Sequence, residues 1–111
     1  MKKVLILIFF MVFIIGCIQQ SQDKKQQAIT LCMQICRNKP VGTSIEEAYK
    51  NGPCLSDNEP NWNIEDWVCD IAHSPRQPID DLPENQCQAY RNGSAHHFVE
   101  LDTSCNLIKV I

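Results

Sequence analysis

The sequence has no apolar run long enough to cross a bilayer. Its longest run, from Val4 to Ile15, spans 12 residues, whereas a membrane-spanning helix needs about 20. It also has no polybasic stretch, and its formal net charge is −3 at pH 7. Proteins that bind nucleic acid present a basic surface. These absences argue against a membrane-spanning chain and against a nucleic-acid partner.

Close pairs of metal ligands and the motifs of nucleophilic catalysis are missing as well. Zinc sites usually contain pairs such as C-x2-C or H-x3-5-H, and many hydrolases contain G-x-S-x-G; the sequence has none of these. Ser74 beside His73 supplies two suitable residue types, but neighbours in sequence are seldom placed as a catalytic pair. We therefore predict no catalytic residue, no bound metal ion and no cofactor.

What the chain does have is an export signal at its start. Lys2 and Lys3 precede the apolar run, and Ile14-Ile15-Gly16-Cys17 closes it. A charged start, a short apolar segment and a small residue at the cleavage point are typical of a secretory signal peptide. An uncleaved N-terminal anchor and an ordinary signal peptide with a chance cysteine are the alternatives.

The closing tetrad resembles the lipobox of prokaryotic lipoproteins, in which two aliphatic residues and a small residue precede the cysteine that receives a lipid. The resemblance implies cleavage before Cys17 and a diacylglyceryl group, with fatty chains such as palmitate, on its sulfur. Two such chains anchor a protein stably, whereas one does so only marginally. The mature protein is therefore expected on the extracytoplasmic face of the cell membrane.

Three segments follow from this cleavage. Residues 1–16 are the predicted signal peptide, residues 17–27 are the lipidated cysteine and a polar tether, and residues 28–111 are a single domain. Removal of Lys2 and Lys3 leaves 8 of the 10 Lys and Arg against 13 Asp and Glu, so the mature chain is mildly acidic. A domain of this size buries too little apolar surface to be very stable without cross-links.

Six cysteines remain once Cys17 is assigned to the lipid. An even number in a small exported domain is typical of a disulfide framework, and each bridge contributes about 2–4 kcal/mol. A thiolate metal site is the alternative. A bridge between Cys32 and Cys36 would join consecutive helical turns and constrain little, so we expect each to reach a different distant segment. The sequence leaves the pairing open among Cys32, Cys36, Cys54, Cys69, Cys87 and Cys105.

Apolar periodicity predicts a helix over residues 24–38, with one buried face formed by Ala28, Cys32, Ile35 and Cys36. Capping signals indicate two further helices. They are a short helix after Ser44, with Glu47 three residues on, and a helix over residues 82–91, where Asp81 and Glu84 have the same spacing.

Alternating apolar residues predict three strands, over residues 66–73, 95–102 and 107–111. The last two are joined through Thr103-Ser104-Cys105-Asn106 and form a hairpin. We therefore predict a small disulfide-stapled α+β domain, in which the N-terminal helix packs on an antiparallel sheet of about three strands.

Three histidines are candidates for a ligand site. His73 ends the first strand near Asp70, and it lies beside His96 or His97 if those strands pair. His96 and His97 are adjacent, so they point to opposite faces of a strand. A site of His73, Asp70 and one of the other two histidines suits zinc or copper. Strand-end histidines that only form hydrogen bonds are the alternative.

The proline-bearing loop after the first strand is a second candidate. Arg76 follows His73 across Ser74-Pro75, and Asp80 and Asp81 are close in sequence. A rigid loop with this arginine can bind an anion through a bidentate contact. In the alternative, Arg76 pairs with Asp80 or Asp81 and the loop is structural. The possible ligand-binding residues are therefore His73, Arg76, Asp70 and His97.

Two further motifs concern the surface and the core. Asn92-Gly93-Ser94 matches the acceptor pattern for N-glycosylation and falls in a predicted exposed turn, so Asn92 is a possible glycosylation site. Trp62 and Trp67 are expected to pack in the core rather than to form a ligand cage.

The second half of the domain carries a further resemblance. The stretches from Trp67 to Pro78, from Leu82 to Cys87 and from Ala95 to Glu100 look like segments of small cysteine-containing exported proteins of archaea. The resemblance covers about half of the chain. It implies the outer face of an archaeal membrane, and it implies no particular activity.

These observations favour a non-enzymatic binding or structural module of the cell envelope, anchored by lipid and contacting an unknown protein or small-molecule partner. A metal-binding or redox accessory protein that uses His73 with His96 or His97 is a second hypothesis. A small hydrolase is a third.

Overall fold

A computed structural model of the chain describes residues 23–111, which form a small α+β fold. The α+β class, with a helix on a three-stranded sheet, is as predicted. The predicted signal peptide, the lipobox with Cys17, and the first part of the tether lie outside the described residues.

Helix α1 comprises residues 23–38. Its predicted face is buried: Ala28, Cys32 and Cys36 are fully inaccessible and Ile35 is nearly so. The helix begins one residue before the predicted start at residue 24, so residues 23–27, which the division into segments gave to the tether, belong to it. Their lysines and glutamines are polar but are good helix formers, and therefore continue the helix that the apolar face begins.

Helix α2, Ile45–Ala48, begins as the capping signal indicates. The side chain of Ser44 accepts a hydrogen bond from the backbone N–H of Glu47 at 3.2 Å. Tyr49 follows the helix and is buried, and its hydroxyl donates to the backbone carbonyl of Cys36 at 2.6 Å. Burial raises the pKa of Tyr49 to about 12. This hydrogen bond satisfies a carbonyl at the C-terminal end of α1 that has no partner within the helix.

The sheet contains β1 (Trp67–Ile71), β2 (His97–Leu101) and β3 (Leu107–Val110), in that order. β2 and β3 form the predicted antiparallel hairpin, with a bulge between Glu100 and Leu101. β1 and β2 are parallel. The prediction of an antiparallel sheet is therefore wrong for this pair, and the sheet is mixed.

The connection between β1 and β2 explains the parallel pairing. Parallel strands need a crossover of a dozen or more residues, and residues 72–96 supply one. Two prolines open successive 3-10 turns in it, Pro78–Asp81 and Pro83–Asn85, and a one-turn helix follows, α3 (Gln88–Arg91). The predicted helix over residues 82–91 is thus shorter, because Gln86 and Cys87 have extended backbones that separate the second turn from α3.

Each face of the sheet has its own apolar cluster. Trp67, Cys69 and Ile71 of β1 face α1 together with Val99 and Leu101 of β2, as the alternation of β1 predicted. The second face carries a smaller cluster beneath the crossover, formed by Val68, Cys87 and Ala95 with Cys54, Ala89 and Phe98.

Three disulfides connect these layers. Cys32–Cys69 joins α1 to β1, Cys36–Cys105 joins α1 to the turn between β2 and β3, and Cys54–Cys87 joins the segment before β1 to the start of α3. The predicted framework of six cysteines is confirmed, as is the expectation that Cys32 and Cys36 reach different segments. Disulfides of this density are typical of an oxidising environment.

Replacing Cys36 and Cys105 together by alanine should lower the free energy of unfolding by about 4 kcal/mol. This bridge joins residues 69 positions apart, and closing a loop of that length restricts the unfolded chain strongly. Urea denaturation of the oxidised protein measures the change. The matched pair Cys54→Ala and Cys87→Ala removes the shortest loop and should cost slightly less. An unchanged midpoint in the Cys36 and Cys105 variant would contradict the assignment.

Candidate functional site

A pocket of about 580 Å³ lies on the second face of the sheet, between the strands and the crossover. This volume is within the range of small-molecule sites in proteins, roughly 300–1,000 Å³. The floor comes from the sheet and the walls come from the crossover. Its lining is Val68, Asp70, Arg76, Gln86, Cys87, Tyr90, Arg91, Phe98, Glu100 and Lys109.

The strand register gives the floor two distinct rows. Asp70 of β1 is opposite Glu100 of β2, which is opposite Lys109 of β3, so one row across the sheet is ionisable. Two residues earlier on β1, Val68 is opposite Phe98, and this row is apolar. Residues two apart on a strand share a face. The floor is therefore apolar on one side and charged on the other.

The wall above the apolar row is held by covalent and aromatic contacts. Cys87 is buried and bridged to Cys54, which fixes the start of α3 against the sheet. The ring of Tyr90 in α3 packs edge-on against the ring of Phe98, with centroids 5.1 Å apart. Arg91 ends α3 and lines the pocket from an exposed position. The wall thus presents an aromatic ring and a cation to the same space.

Asp70 is the most perturbed ionisable group in the pocket. Burial raises the pKa of its carboxyl to about 8, and the neighbouring negative charge of Glu100 adds to the effect. Its Oδ1 atom is inaccessible and has no hydrogen-bond partner among the described residues. A carboxyl group in this setting is mostly a neutral acid at pH 7. Asp70 therefore contributes an O–H donor, and little negative charge, to the floor.

Arg76 ties the crossover to the floor. Its Nε donates to Oδ1 of Asp81 at 2.9 Å, and its Nη1 donates to Oε2 of Glu100 at 3.2 Å. The pairing of Arg76 with Asp81 was one of the two alternatives expected from the sequence. The contact with Glu100 pairs this acid with a cation and holds the crossover against β2.

His73 belongs to a separate clamp centred on a buried carboxylate, Asp80. Nδ1 of His73 lies 2.9 Å from Oδ1 of Asp80, while the backbone N–H groups of His73 and Gln77 donate to Oδ2 at 3.0 and 2.9 Å. Burial acts to raise the pKa of Asp80, but the hydrogen bonds from Gln77 and His73 outweigh it and lower the pKa. The clamp fixes the start of the crossover.

Gly52 is required by the same clamp. Its φ is +66°, a conformation that side chains disfavour, and a Cβ at this position would overlap Oδ1 of Asp80. The turn Asn51-Gly52-Pro53, which follows α2, therefore leaves the space into which Asp80 is buried.

His73 lies apart from the other two histidines, whereas His96 and His97 both approach the carboxylate of Asp66 instead of diverging to opposite faces as expected, because His96 precedes the strand. The parallel register places His97 opposite Trp67 at the start of β1, whereas His73 follows the end of that strand. Trp67 and His73 are six residues apart, which corresponds to about 20 Å of extended chain. His97 stacks on Trp67 with ring centroids 4.7 Å apart, and its Nε2 lies 3.6 Å from Asp66. Nδ1 of His96 lies 2.6 Å from the same carboxylate.

Within residues 23–111, one cluster brings three potential metal-ligand atoms within 4.8 Å of one another: Cys54, Asp57 and Cys87. The two cysteines are bridged to each other. Asp57 accepts a hydrogen bond from the backbone N–H of Gln88 at 3.1 Å, at the start of α3. In the oxidised protein these three residues therefore connect α3 to the segment before β1.

The predicted glycosylation motif is exposed at the end of α3. Oδ1 of Asn92 accepts hydrogen bonds from the backbone N–H and the hydroxyl of Ser94, at 2.9 and 2.5 Å.

The two tryptophans pack in the core, as predicted. Trp67 is buried, and Trp62 packs against the same cluster. Nε1 of Trp62 donates to the backbone carbonyl of Trp67 at 2.9 Å.

Sequence reasoning found Asp70 and Arg76 but missed the rest of the pocket. Glu100, Lys109 and Phe98 join Asp70 only through the register of three strands, and that register depends on the parallel pairing. One signal was present in the sequence: Asp70 interrupts an otherwise apolar strand, Trp67–Ile71, at a position shared with Val68 on the face away from α1.

Within the described residues, no helix combines the length and the apolar character that crossing a membrane requires. Comparison of the chain with protein families, with curated proteins and with solved structures finds no match.

Substituting Asp70 by asparagine should increase stability at alkaline pH. Folding raises the pKa of Asp70 from 3.8 to about 8, so the folded protein binds this proton more tightly than the unfolded chain does. Stability is therefore lost as the pH rises from about 4 to about 8. Asparagine does not ionise, and at pH 9 the variant should exceed the wild type by about 2–5 kcal/mol. Urea denaturation at pH 4, 7 and 9 measures this difference.

Glu84→Gln is the matched control, because it removes an exposed carboxylate from the crossover. It should leave the pH dependence of the free energy of unfolding as in the wild type. If Asp70→Asn also left that dependence unchanged, Asp70 would be ionised in the folded protein at neutral pH and the description of the pocket floor would be wrong.

Proposed function

We propose that the protein is a lipid-anchored binding module of the extracytoplasmic cell surface, and that it binds a small organic molecule in the pocket between the sheet and the crossover. The observation that carries the proposal is the composition of this pocket, in which an apolar row, an aromatic wall and an ionisable row face one volume. Small-molecule sites combine such an apolar lining with a few placed polar groups.

The rigidity of the pocket supports a binding role. The walls are attached to the floor by the disulfide Cys54–Cys87, by the Tyr90–Phe98 ring contact and by the hydrogen bond from Arg76 to Glu100. The clamp at Asp80 fixes the first part of the crossover. A preformed site loses less conformational entropy when a ligand binds than a flexible one does.

The location is supported by two independent features. Three disulfides are compatible with an oxidising compartment outside the cytoplasm. The sequence of residues 1–17 has the order of a lipoprotein signal, ending in Ile14-Ile15-Gly16-Cys17.

A second candidate function is acid–base hydrolysis, favoured by one observation. Asp70 and Glu100 are opposite each other on neighbouring strands; the first is mostly neutral at pH 7, and the second is ion-paired with Arg76. Two carboxyl groups whose environments separate their protonation states are the usual basis of acid–base catalysis. Chemical conversion of a bound compound over time would favour this function, whereas stable binding favours the module.

The binding role is tested with labelled mature protein and a panel of small aromatic compounds of positive, zero and negative charge. We expect at least one class to shift the backbone amide signals of the floor, Phe98 and Glu100, in a saturable manner. The amides of α1 on the opposite face of the sheet, such as those of the exposed residues Lys25 and Arg37, serve as the internal control and should not move. Absence of saturable shifts for every class would contradict the proposed pocket.

The anchor is tested by expression of the full chain in a prokaryotic host that processes lipoproteins. We expect the wild type in the membrane fraction, with an intact mass that starts at Cys17 and includes the lipid, and a gain of about six hydrogens on reduction of three bridges. Cys17→Ala should release the protein, while Ser21→Ala should not. Recovery of unprocessed chain with reduced cysteines from the cytosol would contradict the location.

A further inference from the structure

We infer that the ligand of this pocket is a small organic monoanion, whose anionic group lies between Arg91 and Lys109 and whose apolar part covers Val68 and Phe98. The inference rests on the proposed binding function and adds the chemical class of the ligand. It follows from the distribution of charge, from the protonation of Asp70 and from the two rows of the floor.

Positive charge is concentrated at the pocket, although the protein as a whole is acidic. Residues 23–111 contain 8 Lys and Arg against 13 Asp and Glu, and three of those eight cations line this single site. Arg76 is occupied by Asp81 and Glu100. Within the described part of the chain, Arg91 and Lys109 form no salt bridge, so their charges are available to a ligand.

Asp70 strengthens the preference for an anion because it is mostly neutral at pH 7. A neutral acid donates a hydrogen bond to a carboxylate, whereas an ionised one would repel it. Burial raises its pKa most, the charges of Glu100 and Asp80 act in the same direction, and Arg76 acts in the opposite one. The other titratable groups that line the pocket with it are Lys109, Tyr90 and Arg91.

The apolar row explains why the ligand is organic rather than a simple inorganic ion. Val68 and Phe98 form half of the floor, and Tyr90 stands against Phe98. An inorganic anion would leave these groups in contact with water and would gain nothing from them. We expect one negative charge on the ligand rather than two, because Glu100 lies in the ionisable row and lowers the net positive charge of the pocket.

Three probes of one shape test the charge preference: phenylacetate, its neutral amide phenylacetamide, and the cation phenethylamine. Each is titrated into the mature protein at low ionic strength, with the amide signals of Phe98 and Glu100 as the readout. We expect phenylacetate to bind roughly five- to tenfold more tightly than phenylacetamide, since two exposed ion pairs each contribute a factor of about two to five. Phenethylamine should bind most weakly.

Variants separate charge from shape. Lys109→Gln and Arg91→Gln should each weaken phenylacetate about threefold and leave phenylacetamide unchanged. Arg37→Gln removes an exposed cation from α1 outside the pocket and should change neither probe. Raising the pH from 7 to 9 should weaken phenylacetate because Asp70 ionises, and Asp70→Asn should remove this pH dependence.

The possible results distinguish a failure of the anion preference from a failure of the proposed binding function. Equal binding of the anion and the amide, or preference for the cation, overturns the inference and leaves the pocket as a general small-molecule site. Failure of all three probes to produce saturable shifts overturns the proposed binding function itself. Unchanged phenylacetate affinity in both Lys109→Gln and Arg91→Gln also overturns the inference, because the anion would then be held elsewhere.

Discussion

The arrangement of the whole fold depends on α1 being fixed covalently to the sheet at two points. Cys32 and Cys36 lie on consecutive turns of one helix face, and their partners lie in β1 and in the turn after β2. The helix therefore cannot slide or rotate on the sheet, and the apolar residues of β1 and β2 that face it stay covered. With one face occupied in this way, only the opposite face of the sheet is left to form a site.

That second face becomes a pocket because β1 and β2 are parallel. A hairpin would have joined the two strands at one end and left this face of the sheet open to solvent. The crossover instead passes over the face and returns to the end of the sheet at which β1 begins. The crossover is held by few contacts, each at a distinct place: the Asp80 clamp at its beginning, Arg76 above Glu100, and the disulfide to Cys87 near its end. The space left between these supports is the candidate site.

Local signals in the sequence were sufficient for much of this structure. Apolar periodicity predicted the buried face of α1, and side-chain chemistry predicted the cap at Ser44 and the β2–β3 hairpin. The even number of remaining cysteines predicted that all six form disulfides. All four predictions are confirmed. Strand direction could not be obtained in this way, because β1 is compatible with either pairing. The error brought His73 and His97 together at one predicted site, which the parallel register separates. It also hid the row of Asp70, Glu100 and Lys109, which only the register reveals. The disulfide pairing also required the fold, because the spacing of the cysteines is nearly uniform after Cys36.

The position of Cys105 has a consequence for biogenesis. It is the last cysteine of the chain, yet its partner Cys36 is the second cysteine of the domain. In the export that we propose, which begins at the N-terminus, Cys32 and Cys36 would reach the oxidising side before Cys69 and Cys105, and the first thiols available to them would be each other. Native pairing would be complete only once Cys105 had also crossed. Maturation would then depend on oxidation that is late, or on isomerisation that undoes early bridges.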